Sequence, residues 1–169
     1  MQASHADEAH VFFAPDGIEI LPFTLPGIAY LSFVEGRIPP RSESYPVHLH
    51  GALEQITYVL AAQVTVETWD EATGQAGRFD AGPGAAFLTL PTQTLSYTNT
   101  GPPETARVLF VCAPAYPPND ADTRLTDDHH APTAAEREWS LARHKAAVAA
   151  FAGIVGTRVR LLTDGTGDA

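Results

Sequence analysis

The apolar positions of this chain change their spacing once. From residue 10 to about residue 115 they come in short runs closed by Gly and Pro, alternating in places with polar residues. Val64, Val66 and Thr68 set against Thr65, Glu67 and Trp69 have the period of two expected of a half-buried strand. The runs predict strands over 10–13, 18–24, 28–34, 55–60, 64–69, 85–90, 95–99 and 107–112. Turn residues separate them at Pro15-Asp16-Gly17, Leu25-Pro26-Gly27, Glu35-Gly36, Gly82-Pro83-Gly84 and Gly101-Pro102-Pro103. Asp70 to Gly74 reads as a hairpin connection returning through Gly77 to Phe79. Many short strands with this punctuation mark an antiparallel sandwich or barrel rather than an α/β fold.

Beyond Pro118 the pattern changes. Asn119 to Asp128 is acidic and irregular, and Thr133-Ala134-Ala135-Glu136 has capping-box spacing, which predicts a helix start. The Ala-rich stretch over 134–152 favours helix, with Gly153 or Gly156 available to end it. Trp139, Ala142, Ala146, Ala149 and Gly153 share one helical face, expected to pack on the sheet or on a partner subunit. The tail from Thr163 onward is expected to fray. The chain thus divides into N-terminal strands (1–27), a β-barrel (28–118), and an acidic loop, C-terminal helix and tail (119–169).

With 169 residues the chain has room for one domain with a sizeable core. Its net charge of −10, with no cluster of Lys or Arg, argues against nucleic acid and anionic membrane surfaces as partners. The single cysteine, Cys112, excludes an internal disulfide and a Cys-rich zinc site. No run approaches the length of a membrane span and no basic-then-apolar leader opens the chain, so a cytoplasmic protein is expected.

The candidate chemistry lies in Tyr45-Pro-Val-His48-Leu-His50. On a strand, residues i and i+2 leave the same face, so His48 and His50 would project together into a barrel interior. Two neutral imidazoles side by side are half of a metal site. If Leu95 points inward on its strand, so does Tyr97, whose phenol could donate a proton or anchor substrate. Arg41, Glu67 and Tyr116 are further candidates for the barrel mouth. His129 and His130 read as a solvated loop or a lid, and Cys112 as a small buried hydrophobe in the run 108–113.

His48-Leu-His50, followed by Tyr58-Val-Leu60-Ala-Ala-Gln-Val-Thr-Val66, resembles the first motif of the cupin superfamily. Gly84-Ala-Ala-Phe-Leu-Thr-Leu-Pro91, continuing to Asn99 and Gly101, resembles the second. The resemblance covers roughly residues 28 to 115. It implies an all-β cupin jelly-roll (double-stranded β-helix) barrel, to which the chain adds its C-terminal α-helix. It also implies a third metal ligand after the histidine pair. Registering on Tyr58-Val-Leu60 puts Gln55 there and Ala62 where the family has glycine; a shorter turn would put Glu54 there and Ala61 at the glycine. The family's fourth ligand, a histidine, falls on Leu95. With Glu54 the set would be the two-histidine, one-carboxylate arrangement of non-haem iron, and with Gln55 a weaker neutral set.

These features together lead to the expectation of a metal-dependent homodimeric enzyme acting on a small organic substrate, its subunits joined through an edge strand or the helix. It leans to oxygenase chemistry with Fe2+, with Tyr97 and Glu54 as catalytic groups. The alternatives are an O2-independent cyclase, isomerase or lyase using Zn2+, Ni2+ or Mn2+, and a metal-free binding or sensory cupin, which Leu95 favours.

Overall fold

The structure, a computed structural model, describes residues 10–23, 30–41, 43–99, 101, 104–117 and 121–164, with side chains described as far as residue 156. The turn expected at 25–27, the prolines at 102–103 and 118, and the tail beyond 164 lie outside these residues.

Eleven strands and one helix follow in order: β1 (Phe12–Phe13), β2 (Glu19–Pro22), β3 (Ser32–Ile38), β4 (His48–His50), β5 (Glu54–Ala61), β6 (Val64–Asp70), β7 (Gln75–Ala81), β8 (Ala86–Thr89), β9 (Leu95–Thr98), β10 (Ala106–Ala113), β11 (Thr123–Leu125) and α1 (Ala134–Asp164). They form two antiparallel sheets, six-stranded β1-β2-β3-β10-β5-β8 and five-stranded β11-β4-β9-β6-β7. The inner faces enclose the core. Along β5 burial alternates residue by residue, so Gln55, Thr57 and Val59 face inward. They stand opposite Cys112, Phe110 and Val108 of β10, also buried. Val59, Val64, Val66, Ala81, Leu95 and Val108 are between 0% and 3% exposed and fill one half of the interior. A buried aliphatic side chain of this kind contributes roughly 1.5–3 kcal/mol.

Three expectations change. The first concerns β3, which does not stop at Glu35-Gly36 but runs through to Ile38. Gly36 is there for packing: a Cβ would stand 2.3 Å from Phe110 Cε2, so the ring of the neighbouring strand occupies the missing side chain's place. Next, the acidic segment contains β11, paired with β4 from His50↔Thr123 to His48↔Leu125. Finally, α1 is 31 residues long and passes through Gly153 and Gly156, each of which costs a helix only about 1 kcal/mol relative to Ala. The small-residue stripe does not pack on the sheet, because Ala142, Ala146, Ala149 and Gly153 are exposed. The docking side chains are polar and aromatic: Ser140 donates to Gly51 O, Arg143 Nε donates to Asp122 Oδ1 at 3.2 Å, and Arg124 stacks over Trp139 at 4.1 Å. The capping box forms as expected, with Glu136 N–H donating to Thr133 Oγ1 at 3.2 Å and Thr133 N–H to Glu136 Oε2 at 2.7 Å. No helix among the described residues is long and apolar enough to cross a membrane.

Candidate active site

The half of the interior not filled by the core is a cavity of about 490 Å3. Its floor comes from four strands: His48 and His50 (β4), Gln55 (β5), Tyr97 (β9) and Cys112 (β10). His48 and His50 are both buried, with ring centroids 5.3 Å apart, so the period-two reading of that strand holds. Gln55 and Tyr97 join them. Glu54 does not: it is exposed on the outer face of β5, so its assignment as a catalytic group and ligand is withdrawn. The backbone explains this register. Ala62 closes β5 at φ 59°, the left-handed conformation that the family's glycine suits, and counting back from it places Gln55 inside. Leu95, 1% exposed, stands directly across the ladder from His48 and belongs to the core.

A carboxylate that sequence reasoning left as a turn residue enters the site. Ala14 to Ile18 closes a tight turn, with Gly17 N–H donating to Ala14 O at 2.8 Å and Gly17 at φ 90°. This turn aims Asp16 inward, where Oδ1 accepts the Ile18 N–H at 3.2 Å and Oδ2 lies 3.4 Å from His48 Nδ1. Both groups are buried. His48 Nδ1 also lies 3.4 Å from Pro46 O. Facing two acceptors, Nδ1 is the ring nitrogen placed to donate. No local signal marked Asp16, because only the pairing of the N-terminal strands with β3 carries it over the histidines.

His50 is held from the other side. Its Nδ1 lies 3.2 Å from Thr123 Oγ1, which in turn lies 2.6 Å from the Tyr116 hydroxyl. Its Nε2 is buried with no hydrogen-bond partner. Burial, and then the neighbouring His48, push its pKa down to about 3, so it is a neutral imidazole at physiological pH. An unpaired buried polar atom costs about 1–3 kcal/mol, and at a cavity floor it awaits a ligand atom. The main chain beyond the histidines is fixed as well. Asp122, 2% exposed, accepts the Ala52 and Leu53 N–H groups at 2.9 and 3.1 Å through Oδ2, while Thr92, at φ 64°, donates its N–H to His50 O at 2.7 Å. Gly51 lies under α1, where a Cβ would come within 2.9 Å of Arg143 Cγ and 3.0 Å of Trp139.

Tyr97 accepts the Gln55 Nε2–H at 3.3 Å and shares a 3.1 Å hydrogen bond with Thr57 Oγ1. Burial raises its pKa well above the ordinary phenol value, so it stays protonated as a hydrogen-bond donor. Cys112 Sγ–H points to Gln55 Oε1 at 3.5 Å, and burial pushes the thiol up to about 12; it is an inert buried group. Of the other candidates, Tyr116 lines the cavity, while Arg41 stacks on Tyr45 and Glu67 faces Ser44 and Arg78, away from it. His129 bonds Ser96 and Thr94, and His130 bonds Glu136, so both serve the loop and helix cap rather than the site.

The described donors do not make the two-histidine, one-carboxylate set. That set puts a carboxylate beside two imidazoles. Glu54 is outside, Asp16 meets the Nδ1 edge of His48, and both ends of the Gln55 amide are engaged. Among the described residues no group of three or more His, Cys, Asp and Glu side chains could hold a metal ion.

Comparison with solved structures identifies the architecture as the cupin jelly roll. A variant of Streptomyces Pac13 with uridine, a protein described as a nucleoside dehydratase, superposes with TM-score 0.57 at 14% identity, over 76% of this chain and 93% of that one. Oxalate decarboxylase from Bacillus subtilis gives 0.59 at 20% identity, over 73% of this chain and 32% of that longer chain. KdgF from Halomonas gives 0.51 at 20% identity, over 68% and 94%. At these identities the likeness is one of fold. No family model matches the sequence, and no curated protein matches it.

Proposed function

We propose that the protein is a cupin-fold enzyme that moves protons on a small organic substrate, a lyase, cyclase or isomerase that works without O2. The observation that carries this reading is the buried Asp16–His48 pair at the cavity floor. Asp16 holds the Nδ1 proton, and His48 Nε2 then accepts a proton from a carbon next to a carbonyl, the logic by which a carboxylate orients a histidine base. The C–H bond breaks, its electron pair moves onto the carbonyl oxygen, and the Tyr97 O–H stabilises the enolate by a hydrogen bond. His50, neutral and unpaired at Nε2, supplies the second polar contact. Return of the proton from His48 to another atom completes an isomerisation, and loss of a β-substituent completes an elimination. A second reading is favoured by that unpaired Nε2: His48, His50 and Gln55 Oε1 would together hold a divalent ion as a neutral donor set, with Asp16 and Thr123 orienting the imidazoles.

Turnover of neutral carbonyl and hydroxyl compounds in D2O, by chelator-treated protein and by protein loaded with Fe2+, Zn2+, Ni2+ or Mn2+, tests the proposal. Deuterium incorporation by the metal-free protein, lost in His48→Asn, is the expected result. Turnover that appears only on loading one of these ions overturns it in favour of the second reading.

A further inference from the structure

The cavity also says what kind of molecule it takes, and this inference rests on the reading of that cavity as the substrate site. Its wall is apolar: Phe12, Ile18, Ile20 and Pro22 come from the N-terminal strands, Val34 from β3 and Phe110 from β10. Most of its polar groups, among them Asp16, His48, His50, Gln55 and Tyr97, lie at the floor; His10, itself exposed, lines it as well. No Lys or Arg is among the described residues that line it. The arginines with described partners are committed elsewhere. Arg37 and Arg107 bind Glu35, Arg143 binds Asp122, Arg78 faces Glu67, and Arg41 and Arg124 lie over Tyr45 and Trp139. Arg137 and Lys145 are exposed on α1. The N-terminus of α1, which could have served an anion, is closed by its own Thr133 and Glu136.

An anionic ligand entering here would lose its hydration against apolar walls and face the buried Asp16 side chain, with no Lys or Arg among the described lining residues to offset either cost. A carboxylate, phosphate or nucleotide substrate ordinarily needs an Arg, a Lys or a helix N-terminus aimed at it. The volume is that of a site for a drug-sized ligand, about 300–1,000 Å3. We infer that the substrate is an uncharged, predominantly apolar compound that presents a carbonyl or hydroxyl oxygen at one end to His48, His50 and Tyr97.

A matched pair of probes tests this by isothermal titration at neutral pH: 1-hydroxy-2-acetonaphthone, which is neutral, and 1-hydroxy-2-naphthoate, which has the same ring system and a carboxylate. The ketone is expected to bind the wild-type protein at least tenfold more tightly than the carboxylate. Val34→Trp, which fills the cavity, is expected to abolish ketone binding. Val34→Arg is expected to shift the preference toward the carboxylate, with circular dichroism confirming that both variants fold. Binding of the carboxylate as tight as that of the ketone, or no ketone binding up to its solubility limit, overturns the inference. Selectivity is read without turnover. If His48→Asn keeps the tenfold preference but no deuterium exchange occurs in the wild type, the substrate class stands and the acid–base reading falls.

Discussion

The two halves of the barrel interior are built from the same two sheets and differ completely in what fills them. One half is solid, packed by Val59, Val64, Val66, Leu95 and Val108. The other is hollow, with His48, His50, Gln55 and Tyr97 at its base. The difference lies in a few inward positions. At the base of the hollow half the polar groups bond sideways to Asp16, Thr123, Thr57 and Cys112, below a wall that is itself apolar. Leu95, where the sequence resemblance puts a ligand histidine, falls on the solid side of this boundary.

Substitutions in the two halves should therefore fail in different ways. The largest effect is expected in the hollow half. His48→Asn and Asp16→Asn should each lower turnover about 10²–10⁴-fold, leaving the urea midpoint close to wild type. In the solid half the damage should go to stability, with Leu95→Ala costing about 2–5 kcal/mol in urea unfolding, because nothing there can collapse into the space. A matching truncation on the cavity wall, Ile20→Ala, should cost less than Leu95→Ala by at least about 1 kcal/mol, because its side chain already borders empty space. Equal losses at the two sites would erase the contrast.

The smallest effect lies outside both halves, at the start of α1. His130 is raised, first by its bond to the Asp128 carbonyl and then by Glu136. Glu136 is lowered: burial opposes this, but Thr133 and His130 outweigh it. A raised histidine stabilises fully below its unfolded pKa near 6.5, and the contribution fades as pH rises through the folded value. A lowered carboxylate stabilises above its unfolded value of 4.5, and the contribution fades as pH falls through the folded value. The pair therefore contributes most between about pH 4.5 and 6.5. The partly exposed imidazole limits this to a fraction of a kcal/mol. Urea midpoints of wild type and His130→Gln at pH 5.5 and 8 should differ at the lower pH and converge at the higher.

Most of the barrel was legible in the sequence because it is written in local terms. The strand over 64–69, the Asp70–Gly74 hairpin and the capping box at Thr133 depend on neighbours in the chain, and all three formed, although burial along β6 does not alternate, Thr65 being buried with Val64 and Val66. Gly36 was misread because glycine serves a turn and a tight packing contact equally well, and only the position of Phe110 decides between them. Asp16 and Asp122 were invisible as site residues for the same reason. Each acts on groups far along the chain, His48 in one case and Ala52 in the other. The choice between Glu54 and Gln55 hung on a single turn, which the left-handed Ala62 resolves.

Gly51 has a mechanical consequence. It sits directly after His50, at a point where α1 bears on that segment, with Arg143, Asp122 and Trp139 within contact of a side chain it does not have. The helix is in effect a stop against which the histidine strand is seated, with clearance for a hydrogen and none for a methyl. A methyl there would act as a shim, tilting the strand end that carries both imidazoles while leaving every residue of the cavity chemically intact.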